Sequence, residues 1–266
     1  MYAFEYYCAQ DMPDAERVFH GYNDAKFLAG GQTLLASLKL RLAQPEVLID
    51  LRKIDSMKSI NFSDQKLTVG ALTCHADVGA SSIVESHIPA LAALARDIGD
   101  PAVRNQGTLG GSLANNDPAA DYPAAVLALG AIIQTNKRQV AADDFFLGMF
   151  ETALDLGEVI TSVAFPAPEQ AAYIKFKHPA SRFALVGVFV ARVKQQVRVA
   201  ITGAGACVFR DNEMEARLQR QFVPSCLDTY QPDPASLNSD LHASAEYRAS
   251  LIKVLTKRAV VLAANH

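Results

Sequence analysis

Hydrophobic positions along this chain change period several times, and the changes mark out its elements. Asp11 precedes Ala15, Val18 and Phe19 at helical spacing and is suited to cap that helix. "AKFLA" (25–29) reads as a strand running into Gly30-Gly31, and "TLLASLKLRL" (33–42) places Leu34, Leu35, Leu38 and Leu42 on one helical stripe. A second strand follows in "EVLIDL" (46–51), and "SINFSDQKLTVGAL" (59–72) reads as a hairpin turning at Ser63, Asp64 and Gln65. An Ala- and Leu-rich helix runs over 89–98, and a glycine-bearing loop occupies 99–121. A helix near 122–129, a strand at 131–135 and another at 158–166 complete the first part.

The Pro-containing stretch "FPAPEQAA" is the candidate domain boundary. Beyond it, 173–177, 185–193 and 197–205 read as consecutive strands. A helix over 245–263 turns Leu251, Val254, Leu255 and Val261 inward. The pattern predicts an α+β protein, with a C-terminal part that is mainly strand and then helix. No internal repeat of long period is visible.

Composition narrows the classes. Net charge is −3 with scattered Lys and Arg, which argues against nucleic-acid and anionic-membrane surfaces. The densest basic group, Lys253, Lys257 and Arg258, has the spacing of a solvated helix face. The first residues lack a secretory pattern, no apolar run approaches the ~20 residues of a membrane span, and a cytoplasmic protein is expected. Cys8, Cys74, Cys207 and Cys226 form no close pair, so neither a metal centre nor an iron–sulfur cluster is expected, only free thiols. His75, His87 and His178 show no ligand spacing and read as incidental.

"FLAGGQTLL" (27–35) carries the first candidate chemistry. Strand, glycine turn, helix and strand follow in the order of a dinucleotide-binding unit, with Asp50 about 20 positions on, where a ribose-binding carboxylate would stand. The fingerprint needs a third glycine, and Leu34 or Leu35 occupies its place. A plain turn and a different phosphate loop remain open. "GTLGGSLANNDPAAD" adds a second pair, Gly110-Gly111, ringed by Thr108, Ser112, Asn115 and Asn116. Two glycine loops with neutral donors, each bordering a helix, suggest a diphosphate clasped from two sides. Lys26 is the one cation beside the first loop.

These two segments resemble the FAD-binding segments of the molybdenum hydroxylases, specifically the separate medium (flavoprotein) subunit of the carbon monoxide dehydrogenase and xanthine dehydrogenase type. The resemblance continues through "DDFFLGMFETALDLGEVITSVAFP", "YIKFKHPASRFALVGVFVA", "VRVAITGAGACVFR" and "YRASLIKVLTKRAVVLA", and so spans nearly the whole chain. It implies a two-subdomain, PCMH-type FAD-binding domain over 1–168, divided at about 57/58. A smaller α+β domain of antiparallel strands and helices follows over 169–266.

By resemblance, Ala29, Gly30, Gly31, Gln32, Thr33 and Leu34 bind the FAD diphosphate, with Thr108, Leu109, Gly110, Gly111 and Ser112 lining its other side. Asn115 and Asp121 reach the flavin and ribityl region, Asp121 accepting from the ring N–H edge. Ile160 touches the adenine portion, and Lys175 faces the isoalloxazine carbonyl edge. Each assignment has a plainer rival: Asp121 as a helix cap, Ile160 as core, Lys175 as a surface lysine, and Asp50 is read as structural. Arg182 stands where the family usually has an acid before an aromatic residue, here Phe183. The 136–139 loop, "NKRQ", is shorter than usual, and there is no cysteine-bearing insertion.

The implied function is electron output. A partner large subunit oxidises substrate at a molybdopterin cofactor, a small subunit with [2Fe-2S] clusters relays electrons, and FAD on this chain delivers them to quinone, NAD or another acceptor. A self-sufficient FAD-dependent oxidoreductase and a cofactor-free scaffold subunit are the alternatives. About 100 residues after Pro168 leave modest room for the substrate cap that the former needs.

Overall fold

The computed structural model describes residues 1–265. The chain opens with β1 (Glu5–Cys8), α1 (Met12–Phe19), β2 (Ala25–Leu28), α2 (Leu34–Lys39) and β3 (Val47–Asp50). These strands form a parallel sheet in the order β1-β3-β2, with β3 buried along its whole length. Asp11 caps α1 as expected, accepting from Asp14 N at 2.8 Å. Leu28 at the carboxyl end of β2 and Leu51 just after β3 line a cleft, at the end of the sheet where parallel strands place ligands. Gly30-Gly31 lies at that end.

A five-stranded antiparallel sheet follows, ordered β4-β5-β10-β6-β7 and built from β4 (Ile60–Ser63), β5 (Lys66–Gly70), β6 (Ile132–Thr135), β7 (Gln139–Ala141) and β10 (Ile160–Pro166). The β4–β5 turn holds Asp64 and Gln65 at φ 49° and 58°, the left-handed pair that two-residue hairpins require. Between β5 and β6 run α3 (His75–Ala80), α4 (Ser82–His87), α5 (Pro89–Arg96), α6 (Pro101–Arg104), α7 (Leu109–Asn115) and α8 (Tyr122–Ala128). A short hairpin, β8 (Phe146–Gly148) and β9 (Glu151–Thr152), is pinned to the end of α7. There the Asn116 amide donates to the carbonyls of Gly148 and Glu151 at 2.8 and 2.7 Å.

The last part is an antiparallel sheet of β11 (Gln170–Lys177), β12 (Ala184–Val193), β13 (Gln196–Thr202) and β14 (Phe209–Arg210), with α9 (Asn212–Arg220) and α10 (Ala245–Ala263). α10 packs on β11 and β12, α9 on β13, and α5 and α8 cover the sheet from the other part of the chain. Alternate residues of β12 therefore enter two cores: Phe189 and Ala191 join the large one, Val186, Val188 and Val190 the smaller.

Two expectations about helix faces fail. α2 ends at Lys39, because Arg41 adopts φ 61° and closes the helix with Leu42 N donating to Ser37 O. Of the Leu stripe only Leu38 is buried, and Leu42 is 75% exposed. In α10, Val254 and Val261 face solvent; Ala249, Ile252, Leu255, Ala259 and Val260 face the sheet. The inward face also holds Arg248, whose guanidinium donates to the carbonyls of Leu185 and Gly203 and pairs with Asp240. Reading only apolar residues as inward therefore rotates the face.

Candidate functional site

A cleft of about 900 Å³ lies between the two glycine loops, within the range of cofactor sites. Lys26, Ala29, Gly30, Gly31, Gln32, Thr33 and Leu34 line one wall. Thr108, Gly110, Gly111, Ser112, Asn115, Asp121 and Ile160 line the others. Leu109 is buried behind this wall, and Asp50 is likewise outside the cleft, bound by Arg52 and Tyr6 in the structural role expected of it.

The two loops use their glycines differently. In the first, the consecutive N–H groups of Gly30, Gly31, Gln32, Thr33 and Leu34 have no acceptor among the described residues. Gln32 and Thr33 are exposed in the cleft wall. An anion placed there would meet several unused donors at once. The second loop spends its donors on the protein. Leu109 N donates to Thr73 O at 3.1 Å, Gly110 N to Ala71 O at 2.8 Å, Gly111 N to Thr108 Oγ1 at 3.1 Å and Ser112 N to Thr108 O at 3.0 Å. Its contribution to a ligand is therefore the uncommitted side chains of Ser112 and Asn115, not the main-chain donors that its glycines suggest.

Steric demand explains the glycines better than ligand approach does. A Cβ on Gly30 would lie 1.9 Å from Gln106 O, and one on Gly110 would lie 2.5 Å from the Ala71 Cβ. Gly31 needs its φ of 72°. Of the four, Gly111 alone has room: beyond Thr108 Oγ1 a Cβ there would meet only the Ala29 methyl at 3.8 Å.

Asp121 and Lys175 form one buried unit. Asp121 heads α8 in position, yet its side chain makes no cap bond. The carboxylate instead receives the Tyr173 hydroxyl and the Lys175 ammonium, the latter at 2.9 Å. Burial pushes this carboxyl upward, against the pull of Lys175 and Tyr173. Lys175 is fully enclosed, its ammonium also donating to Asp97 O at 2.9 Å. It is thus neither a surface lysine nor a direct lining residue, and it reaches the cleft only through Asp121. Ile160 is both core and cleft wall, at 3% exposure.

Glu158, His75, Arg182 and Phe183 also line the cleft. Arg138 and the Asp155 N–H hold the Glu158 carboxyl down at about 2. His75, read from sequence as incidental, sits beside Gly107 and Tyr122, its Nδ1 without a partner. Only the bridge between Cys74 and Thr108 brings it there, a long-range pairing with no signal in local spacing. Burial and nearby Arg104 push its imidazole down to about 4.

A neutral imidazole in the fold that charges on unfolding gives stability that is present above pH 6.5 and lost as pH falls toward 4. Between pH 7 and pH 5 this should cost the wild type about 2 kcal/mol more than His75→Gln, as read from melts of both proteins.

Comparison with known proteins agrees with this geometry. Residues 2–168 match the family described as the FAD binding domain in molybdopterin dehydrogenase. The nicotine 6-hydroxylase medium subunit of Paenarthrobacter nicotinovorans is 34% identical, with 97% of this chain and 96% of that one covered. The carbon monoxide dehydrogenase medium chain of Hydrogenophaga pseudoflava is also 34% identical, with the same coverage. A solved structure of the Hydrogenophaga pseudoflava carbon monoxide dehydrogenase superposes with a TM-score of 0.90 at 33% identity, covering 99% of this chain and 98% of that one. The chain belongs to the FAD-binding family of the molybdopterin dehydrogenases. It is an oxidoreductase medium subunit whose cofactor is FAD. No helix among the described residues is long and apolar enough to cross a membrane.

Proposed function

We propose that this chain is the electron-output subunit of a cytoplasmic molybdenum hydroxylase complex. It takes electrons from the [2Fe-2S] clusters of a small partner subunit, which a molybdopterin-binding large subunit reduces, and passes them to an external acceptor such as quinone or NAD. Residues 1–168, in halves meeting near 57/58, hold the cofactor, and 169–266 form a second domain against it.

The observation that carries this reading is the run of five unpartnered N–H groups from Gly30 to Leu34, facing Ser112 and Asn115 across the cleft. They bind the diphosphate through neutral dipoles, with Thr33 adding a hydroxyl and Lys26 a positive potential at the rim. Ile160 contacts the adenine, and Asp121 accepts from the N–H edge of the flavin ring, its charge balanced by Lys175. Phe183 supplies an aromatic face beside Arg182. When bound, FAD supplies the ability to link one-electron donors to a two-electron acceptor. The chain's own residues bind and orient it.

Substrate choice then lies outside this chain. The medium chains of a nicotine hydroxylase, a carbon monoxide dehydrogenase and a glyceraldehyde dehydrogenase are 34%, 34% and 32% identical to it, despite their different named substrates.

The purified chain, incubated with FAD and desalted, should retain close to one flavin. A colourless product would favour the scaffold reading. Co-purification should bring down molybdenum- and iron-containing partners, whereas an active flavoprotein without partners would favour the self-sufficient oxidoreductase.

A further inference from the structure

The turn that brings Asp121 to the cleft is held by the C-terminal sheet. Thr202 on β13 donates its single hydroxyl hydrogen to Ala120 O at 2.6 Å, with Pro118 O also in reach at 3.0 Å, and Gly203 N donates to Pro118 O at 2.7 Å. Tyr173 on β11 donates its hydroxyl to Asp121 Oδ1. Gly187 on β12 sits in register between Lys175 and Thr202. A Cβ there would come within 2.4 Å of the Tyr173 hydroxyl oxygen and 2.8 Å of Thr202 Cγ2. Gly187 is thus the gap that lets the tyrosine reach the carboxylate.

The hydrogen-bond count at Asp121 defines what the carboxylate has left to offer. A carboxylate has about four lone-pair sites. Oδ1 receives the Tyr173 hydroxyl and has the Lys175 ammonium against it at 2.9 Å as an ion pair, while Oδ2 receives the Lys175 hydrogen bond at 3.1 Å. One site on Oδ2 remains, on a residue 5% exposed that lines the cleft. An anion there repels phosphate, so its partner is an N–H on a neutral part of the ligand. FAD offers two such ends, the isoalloxazine imide and the adenine amine. The segment that follows β11 brings Ser181, Arg182 and Phe183 to the cleft, so the same sheet supplies an aromatic side chain for the larger ring.

We propose that Tyr173 is a positioning residue for flavin-ring recognition: its hydroxyl, admitted by Gly187, fixes Asp121 so that the free site of Oδ2 meets the isoalloxazine imide N–H. This rests on the FAD reading above. The C-terminal sheet then selects the ring end of the cofactor, and the glycine loops hold the diphosphate end.

The test compares FAD with ADP-ribose, which keeps the adenine and diphosphate but lacks the isoalloxazine. Wild-type full-length chain, Tyr173→Phe and Gly187→Ala are titrated with both ligands, and each protein is melted. In both variants FAD should bind about tenfold more weakly, while ADP-ribose affinity changes by less than about twofold. Gly187→Ala reaches the hydroxyl by a second route should Tyr173→Phe not fold. Equal weakening of both ligands would mean that Tyr173 only supports the fold or that Asp121 serves the adenine, and either overturns the proposal. Unchanged FAD affinity in folded variants overturns it too. A wild-type chain that binds neither ligand would instead remove the FAD reading itself.

Discussion

Gly30→Ala should abolish FAD retention and lower the melting temperature more than any other single-methyl addition in the cleft. The added Cβ would stand 1.9 Å from Gln106 O and 2.7 Å from the same residue's carbonyl carbon. Both obstacles are backbone, so no side chain can rotate away. The loops must separate, and with them the unpartnered donors of 30–34 and the side chains of Ser112 and Asn115. Overpacking of this kind costs ~1–3 kcal/mol or more. Gly111→Ala is the matched control, since its new methyl meets the Thr108 hydroxyl at 2.9 Å and the Ala29 methyl only at ordinary contact distance, 3.8 Å, with no backbone in the way. It should stay folded and lose FAD affinity only in part. Flavin content after desalting, read beside a melting curve, separates the two cases. A Gly30→Ala chain that retains full flavin would show that the loops need not touch.

That asymmetry marks the limit of what the sequence made legible. The glycine pairs, the hydroxyl and amide residues near them and the strand–turn–helix order are local features, and they located both walls of the cleft. Which N–H groups stay free is not local. It depends on Thr73 and Ala71 accepting from Leu109 and Gly110, contacts between residues more than thirty positions apart. The Asp121 pairing with Tyr173 spans 52 positions, so the sequence offered the carboxylate as a flavin acceptor or a helix cap and gave no sign of its buried partner. His75 enters through an isolated bridge that no period announces. The α10 limits were legible, but not the phase of its face, because Arg248 is buried by hydrogen bonding to carbonyls at the β12 and β13 ends. Periodicity finds elements and motifs; the accounting of buried polar groups needs the tertiary fold.

Lys175→Met should destabilise the chain by ~3–5 kcal/mol, the range for removing one partner of a buried ion pair. Its ammonium is fully enclosed and serves two oxygens of Asp121 and the carbonyl of Asp97. With it gone, Asp121 keeps Tyr173 alone in a site that already pushes the carboxyl upward through burial. The melting temperature should fall on the order of 10 °C at neutral pH. The pH dependence identifies the cause. A carboxyl whose folded value is raised binds its proton more readily folded than unfolded, so the variant's deficit should shrink as pH falls and grow as it rises. Lys175→Met combined with Asp121→Asn removes the stranded charge and should recover most of the loss at pH 7; under the role proposed for Asp121 it should not restore flavin affinity. A double variant no more stable than Lys175→Met would mean that Lys175 acts through Asp97 or through packing, and Asp121 would no longer be the group it serves.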